Sequence, residues 1–141
     1  MIKRAPIWLL TGGFLLLPFA TRADDLTGTT QMICASVKAT ECYADGSCVQ
    51  GEPEEWNVPR FIRVDLEKKT LSTTPASGEE RSTPLQNLTR DGDRVFFHGS
   101  QTGRAVSMVI NLQTGIASAG IVLDEHVLSV FAHCTPVDSE D

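Results

Sequence analysis

The stretch RVFFHGSQTGRAVSMVINLQTGIASAGIVLDEHVLSVFAHC, residues 94–134, carries four β-like runs separated by short turn-forming segments. In RAVSMVINL (104–112) the apolar Val106, Met108, Ile110 and Leu112 are set against Ser107 and Asn111. A repeat of two puts every second side chain on one face, the mark of a strand with one buried side. RVFFHG (94–99), GIASAGIVL (115–123) and HVLSVFAHC (126–134) read as strands of the same kind. The joints GSQTG (99–103), QTG (113–115) and Asp124-Glu125 are short enough to turn the chain straight back. Such links make neighbouring strands antiparallel, because a parallel return needs a crossover of about a dozen residues.

The pattern continues towards the N terminus. RDGD (90–93) is a hairpin signal, since Gly92 takes positive φ without steric cost. Between Gln31 and Tyr43 the odd positions Ile33, Ala35, Val37, Ala39 and Tyr43 are apolar and Ser36, Lys38 and Thr40 are polar, which assigns the odd positions to the buried face. RFIRVDL (60–66) sets Ile62, Val64 and Leu66 against Arg63 and Asp65, and TLSTT (70–74) and PLQNLT (84–89) are further strands. TPASGEERSTP (74–84) reads as a polar, exposed loop. No helix of ten residues is expected after residue 23. RVDLEKKTLS and VINLQTGIAS share an apolar-Asp/Asn-Leu-turn pattern, read here as two hairpins with the same turn chemistry.

The fold class that follows is all-β: a small antiparallel up-and-down meander of about eight short strands, closed or nearly closed into a disulfide-stapled barrel. An open meander leaves two raw edges, and closure removes them. An open sheet or two-sheet sandwich is the alternative. An eight-stranded barrel has room for side chains or for one small ligand.

Residues 1–23 read as a cleaved signal peptide. Lys3 and Arg4 precede the apolar run APIWLLTGGFLLLPFA (5–20), and TRA (21–23) offers small residues for cleavage. The run is broken by Gly12-Gly13 and Pro18 and falls short of the roughly 20 apolar residues that a membrane anchor needs. Residues 24–141 are then a single β domain, with frayed ends at 24–30 and 136–141. Without Lys3, Arg4 and Arg22, 9 of the 12 basic residues face 18 acidic ones, a net charge of about −9. Nucleic acid and anionic membrane surfaces both demand a positive face, so neither is an expected partner. A small ligand or a cationic protein is permitted, and a monomer is expected.

CYADGSC (42–48) places two cysteines around Asp45-Gly46. Structural zinc sites space paired cysteines about two to four residues apart, and thiol–disulfide enzymes use a two-residue gap at a helix start. Five intervening residues in an exported chain read instead as a structural bridge across a turn. The favoured set is Cys42–Cys48 with Cys34–Cys134, which holds if the strand count is even and the first and last strands run antiparallel. An odd count brings Cys134 towards Cys42.

No enzymatic chemistry is expected. GSQTG is not the G-x-S-x-G elbow, and the pairs Glu54-Glu55, Glu79-Glu80 and Asp124-Glu125 are sequence neighbours that point to opposite faces on a strand. His98, His126 and His133 are spread over separate strand positions, so no metal site is expected, and no cofactor motif is present. Asn87-Leu88-Thr89 is a glycosylation sequon in a eukaryotic source. Trp56 in EPEEWNVP is a candidate ligand-facing aromatic, with a rim residue closing the core as the alternative. One of Phe96 and Phe97 must face outward, a clue to a partner surface.

Ser100-Gln101-Thr102-Gly103-Arg104-Ala105 resembles the Ser-x-Ser-Gly-x-x-Tyr loop of the periplasmic inhibitors of c-type lysozyme. Thr102 replaces the second serine, Val106 stands at the tyrosine position, and the family's lysine-bearing second motif is missing. The resemblance implies a small exported barrel whose loop contacts a cationic lysozyme. The expectation overall is an exported, non-enzymatic β-barrel binding module for a small ligand or a protein partner, with Ser100, Thr102, Arg104 and Trp56 as candidate binding residues. A structural protein of the cell envelope without a pocket, or a lysozyme-inhibitor-like protein, is the alternative.

Overall fold

The computed structural model describes residues 25–78 and 80–137. The expected signal peptide and residues 138–141 lie outside them. Nine strands follow in order: β1 Gln31–Tyr43, β2 Cys48–Gly51, β3 Phe61–Asp65, β4 Thr70–Thr73, β5 Ser82–Asp91, β6 Arg94–Gln101, β7 Arg104–Asn111, β8 Ile116–Val122 and β9 His126–Pro136. Consecutive strands from β3 to β9 pair antiparallel, β1 pairs with β3, and β1 closes on β9 from Met32↔Pro136 to Tyr43↔His126. β1 and β3–β9 are the eight staves of a closed barrel, the eight strands expected from the sequence.

β2 is the addition. β1 has 13 residues and needs two partners on its far side. Its first part pairs with β3 (Gln31↔Asp65 to Ala35↔Phe61) and its last part with β2 (Ala39↔Gly51 to Cys42↔Cys48). β2 and β3 therefore form one interrupted stave. Residues 52–60 loop out between them through a 3₁₀ turn, Pro53–Trp56, and return where Ser36 N–H donates to the Arg60 carbonyl at 2.8 Å.

The register of β1 shifts between Ser36 and Lys38, and Val37 is the exposed extra residue. Before this bulge Met32, Cys34 and Ser36 are buried; after it Ala39 and Glu41 are. The odd-position face predicted for β1 is therefore corrected for residues 31–37 and holds beyond the bulge at Ala39 and Glu41, while Tyr43 at the strand's end is exposed. QMICASV is apolar on both faces, so periodicity alone does not choose between them, and one inserted residue flips every later side chain. In β7, β8 and β9 no bulge intervenes, and Met108, Ile110, Ala117, Ile121, Leu128, Val130 and Ala132 face inward as the alternation predicts.

One barrel end is filled by Leu26, Leu66, Leu112, Ile110, Val95 and Phe97. Leu26 is fully buried and its N–H donates to the Leu112 carbonyl at 2.6 Å. Residues 25–30, which composition marks as a frayed end, are thus pegged to the core by one leucine. Asp65 and Asn111 each turn the chain with a side-chain oxygen that accepts two backbone N–H groups just downstream. The shared sequence pattern is one turn chemistry used twice, each time delivering a buried leucine to this end.

Both disulfides join residues directly opposite each other. Cys34–Cys134 ties β1 to β9 inside the barrel, and Cys42–Cys48 staples the β1–β2 turn. The expected connectivity holds because eight staves leave β1 and β9 antiparallel; β2 lies on β3's side of β1 and does not change that count.

Candidate functional site

The other end of the barrel is filled only in part, by Ala39, Val58, Ile121, Leu128 and Val130. Inside it, β8 and β9 present Ala119 and Ala132, and β1 presents Cys34 and Ser36, all too short to meet across the barrel. The result is a cavity of about 260 Å³ walled by Val106, Met108, Ile121 and Val130. Drug-sized ligands occupy roughly 300–1,000 Å³, so this space suits a smaller guest.

Three segments frame the mouth: Asn57-Val58-Pro59 from the excursion, Arg81 and Thr83 beside β5, and the β6–β7 turn with Gln101, Thr102 and Arg104. The Arg81 guanidinium donates to the Asn57 carbonyl (3.2 and 3.3 Å) and to Asn57 Oδ1 (3.2 Å), which clamps the excursion to the β4–β5 link. Ser36 Oγ donates to the Pro59 carbonyl at 3.1 Å, and Thr83 Oγ1 donates to Gln101 Oε1 at 2.9 Å. The guanidinium of Arg104 has no hydrogen bond or ion pair among the described residues. Asn57 and Thr102 both hold positive φ, 56° and 46°. For asparagine that is common; for a β-branched threonine it is strained, and strained backbone gathers at functional sites.

The comparisons with known proteins add no family. The chain matches no protein-family model and no curated protein at a significant level. In sequence, the resemblance to lysozyme inhibitors rests on the six residues at 100–105, a hairpin turn on the cavity mouth.

Of the residues singled out in the sequence, Thr102 and Arg104 reach the mouth, Ser100 faces solvent, and Trp56 stands behind the rim. Trp56 packs on Ala39, Val58, Ile121, Leu128 and Val130, and its indole N–H donates to Glu41 Oε2 at 2.5 Å. Glu41 is the residue the sequence reading missed. It faces inward beyond the bulge, also accepts from the Tyr43 hydroxyl at 2.5 Å, and lies 3.2 Å from His126 Nε2. The bond to the Glu41 carboxylate pushes the Tyr43 hydroxyl above its ordinary pKa. Its sequence signal is a charged residue at an odd position of β1, on the face that the alternation assigns to the interior.

On the outer side of the excursion, Lys38 Nζ lies 2.7 Å from Glu52, and Arg60 pairs with both Glu52 and Glu54. Lys38 chiefly holds Glu52 below the usual carboxylate range, and the Arg60 hydrogen bond does the same for Glu54. The histidines do not converge: His98 bonds Asn87, His126 meets Glu41 and His133 is exposed. Among the described residues no group of three His, Cys, Asp or Glu is placed to hold a metal ion. Phe97 is buried and Phe96 is 40% exposed.

Proposed function

We propose that the chain is an exported, non-enzymatic binding module that holds one small, largely apolar ligand in the barrel mouth. The observation that carries this reading is the cavity of about 260 Å³, open at one end of a barrel whose other end is packed and pegged. Two disulfides favour an oxidising compartment, and the basic-apolar-small pattern of residues 1–23 supplies a route to it. No helix among the described residues is long and apolar enough to cross a membrane.

The rigid walls and the anchored rim support a carrier rather than a catalyst. Among the described residues, no paired acid and base, or base and nucleophile, faces the cavity, whose lining is chiefly apolar with hydroxyl, amide and guanidinium groups at the mouth. The test is native mass spectrometry of oxidised protein from its own source, together with an Ala119→Leu variant that fills the cavity. A bound small molecule that is lost in the variant supports the reading. A chain that is consistently empty, and whose thermal midpoint no apolar ligand shifts, overturns it in favour of a structural role.

A further inference from the structure

The charge around the cavity runs against the charge of the chain. The protein carries 18 acidic and 12 basic residues, yet the charged side chains lining the cavity among the described residues are Arg81 and Arg104, with no aspartate or glutamate. We infer that the guest is a small apolar monocarboxylate, its tail inside the barrel and its carboxylate at the mouth against Arg104. This rests on the binding-module reading and adds to it the chemical class of the ligand.

Arg104 closes the β6–β7 turn and carries a guanidinium without an ion pair among the described residues. A guanidinium presents paired N–H donors that match the two oxygens of a carboxylate. Arg81 is held in place by its bonds to Asn57, which fixes that part of the rim and leaves the carboxylate to Arg104. The Thr102 side chain lies beside Arg104, held by a backbone conformation (φ 46°) that β-branched residues avoid. Strain of that kind persists where the surroundings over-determine it, and this turn forms the mouth itself.

Depth sets the rest of the ligand. Val106, Met108, Ile121 and Val130 offer an apolar wall, and the buried Ser36 hydroxyl beside them donates to the Pro59 carbonyl, so the buried part is hydrocarbon. At about 30 Å³ for each water-sized group, the cavity of about 260 Å³ takes roughly nine such groups. An acid of medium chain length fits; a long-chain acid leaves most of its tail outside.

The probes are octanoate, 1-octanol and octylamine, which share one chain and differ in headgroup, titrated by calorimetry into the intact oxidised protein at neutral pH. Octanoate is expected to bind at least ~10-fold more tightly than octanol, with octylamine weakest, since a bond to a charged partner is worth about that factor. Arg104→Gln is expected to bring the octanoate-to-octanol ratio close to one, with an unchanged circular dichroism spectrum. A wild-type ratio near one, or a ratio that Arg104→Gln leaves intact, overturns the carboxylate assignment while the cavity reading stands. If none of the three binds, the cavity reading fails and takes the assignment with it.

Discussion

Gly92 and Gly115 both hold positive φ, 56° and 69°, but their surroundings differ. A Cβ on Gly92 would meet nothing within 4 Å, whereas one on Gly115 would fall on the Cys134 carbonyl oxygen, which is backbone and cannot swing aside. Gly92→Ala is therefore expected to cost about 1–2 kcal/mol, the left-handed penalty alone. Gly115→Ala adds the collision and should exceed that, at about 3 kcal/mol or more. Urea midpoints of the two variants measure the difference, and equal midpoints would refute the contact. Glu41 supplies the second contrast. Glu41→Ala removes the acceptor of the half-buried Trp56 indole N–H and of the exposed Tyr43 hydroxyl, and with water able to replace it in part the expected cost is about 1 kcal/mol. Trp56 is the only tryptophan beyond residue 23, so its fluorescence should report a loosened excursion directly. An unchanged emission spectrum and an unchanged midpoint would show that Glu41 does not anchor the rim. Both glycines were legible as turn residues from their neighbours alone. Glu41 was not: its odd position was phased inward, but a strand pattern does not show the Trp56 and Tyr43 donors that gather on its carboxylate.

The excursion between β2 and β3 is held from two sides, by Glu41 and Arg81 within and by the Lys38–Glu52–Arg60–Glu54 ion pairs without. Glu52 and Glu54 titrate below the ordinary value of 4.5 in the folded protein. A carboxylate depressed by folding contributes stability that is fully present above its unfolded pKa and is lost as pH falls through the folded one. The outer fastening should therefore be intact at pH 6 and fade below about pH 4.5, and high salt should weaken it at any pH. Amide exchange of residues 52–60, compared between pH 6 and pH 4 after correction for the intrinsic rate, tests this. Protection that stays constant, or falls equally in β7, would sink the claim. The same elements show where sequence reading stops. Strict alternation made β7 and β9 readable. CVQG has four residues, three of them exposed and none in an alternating pattern, so β2 carried no signal of its own. It exists because β1 outlasts β3 and leaves an edge to be paired. The cavity mouth was readable only in part: turn chemistry pointed to Thr102 and Arg104, while Arg81 and Asn57 come together across 24 residues of chain.

At the scale of the whole molecule, closure is one event, the pairing of β1 with β9, and it brings the two ends of the barrel domain together. That closure could be reasoned from a strand count and two raw edges, and the disulfide pairing followed from it. The cavity could not, because it depends on where Ala119, Ala132, Cys34 and Ser36 stand opposite one another inside the barrel. The two bridges should accordingly differ in both stability and function. In the chain-entropy account a link spanning about 100 residues is worth ~4.7 kcal/mol and one spanning about seven roughly 2.3 kcal/mol. Cys34 also lines the cavity, whereas Cys48 lies at an exposed turn away from it. Replacing Cys34 and Cys134 by alanine should thus lower the unfolding free energy about twice as much as replacing Cys42 and Cys48. It should also alter the affinity of any guest in the mouth, which the outer pair should leave unchanged. Guanidinium denaturation and ligand titration on the two double variants measure both effects. Equal losses of stability would mean that β1–β9 pairing already closes the chain in the denatured ensemble, and the inner bridge would then no longer be the closure of the barrel.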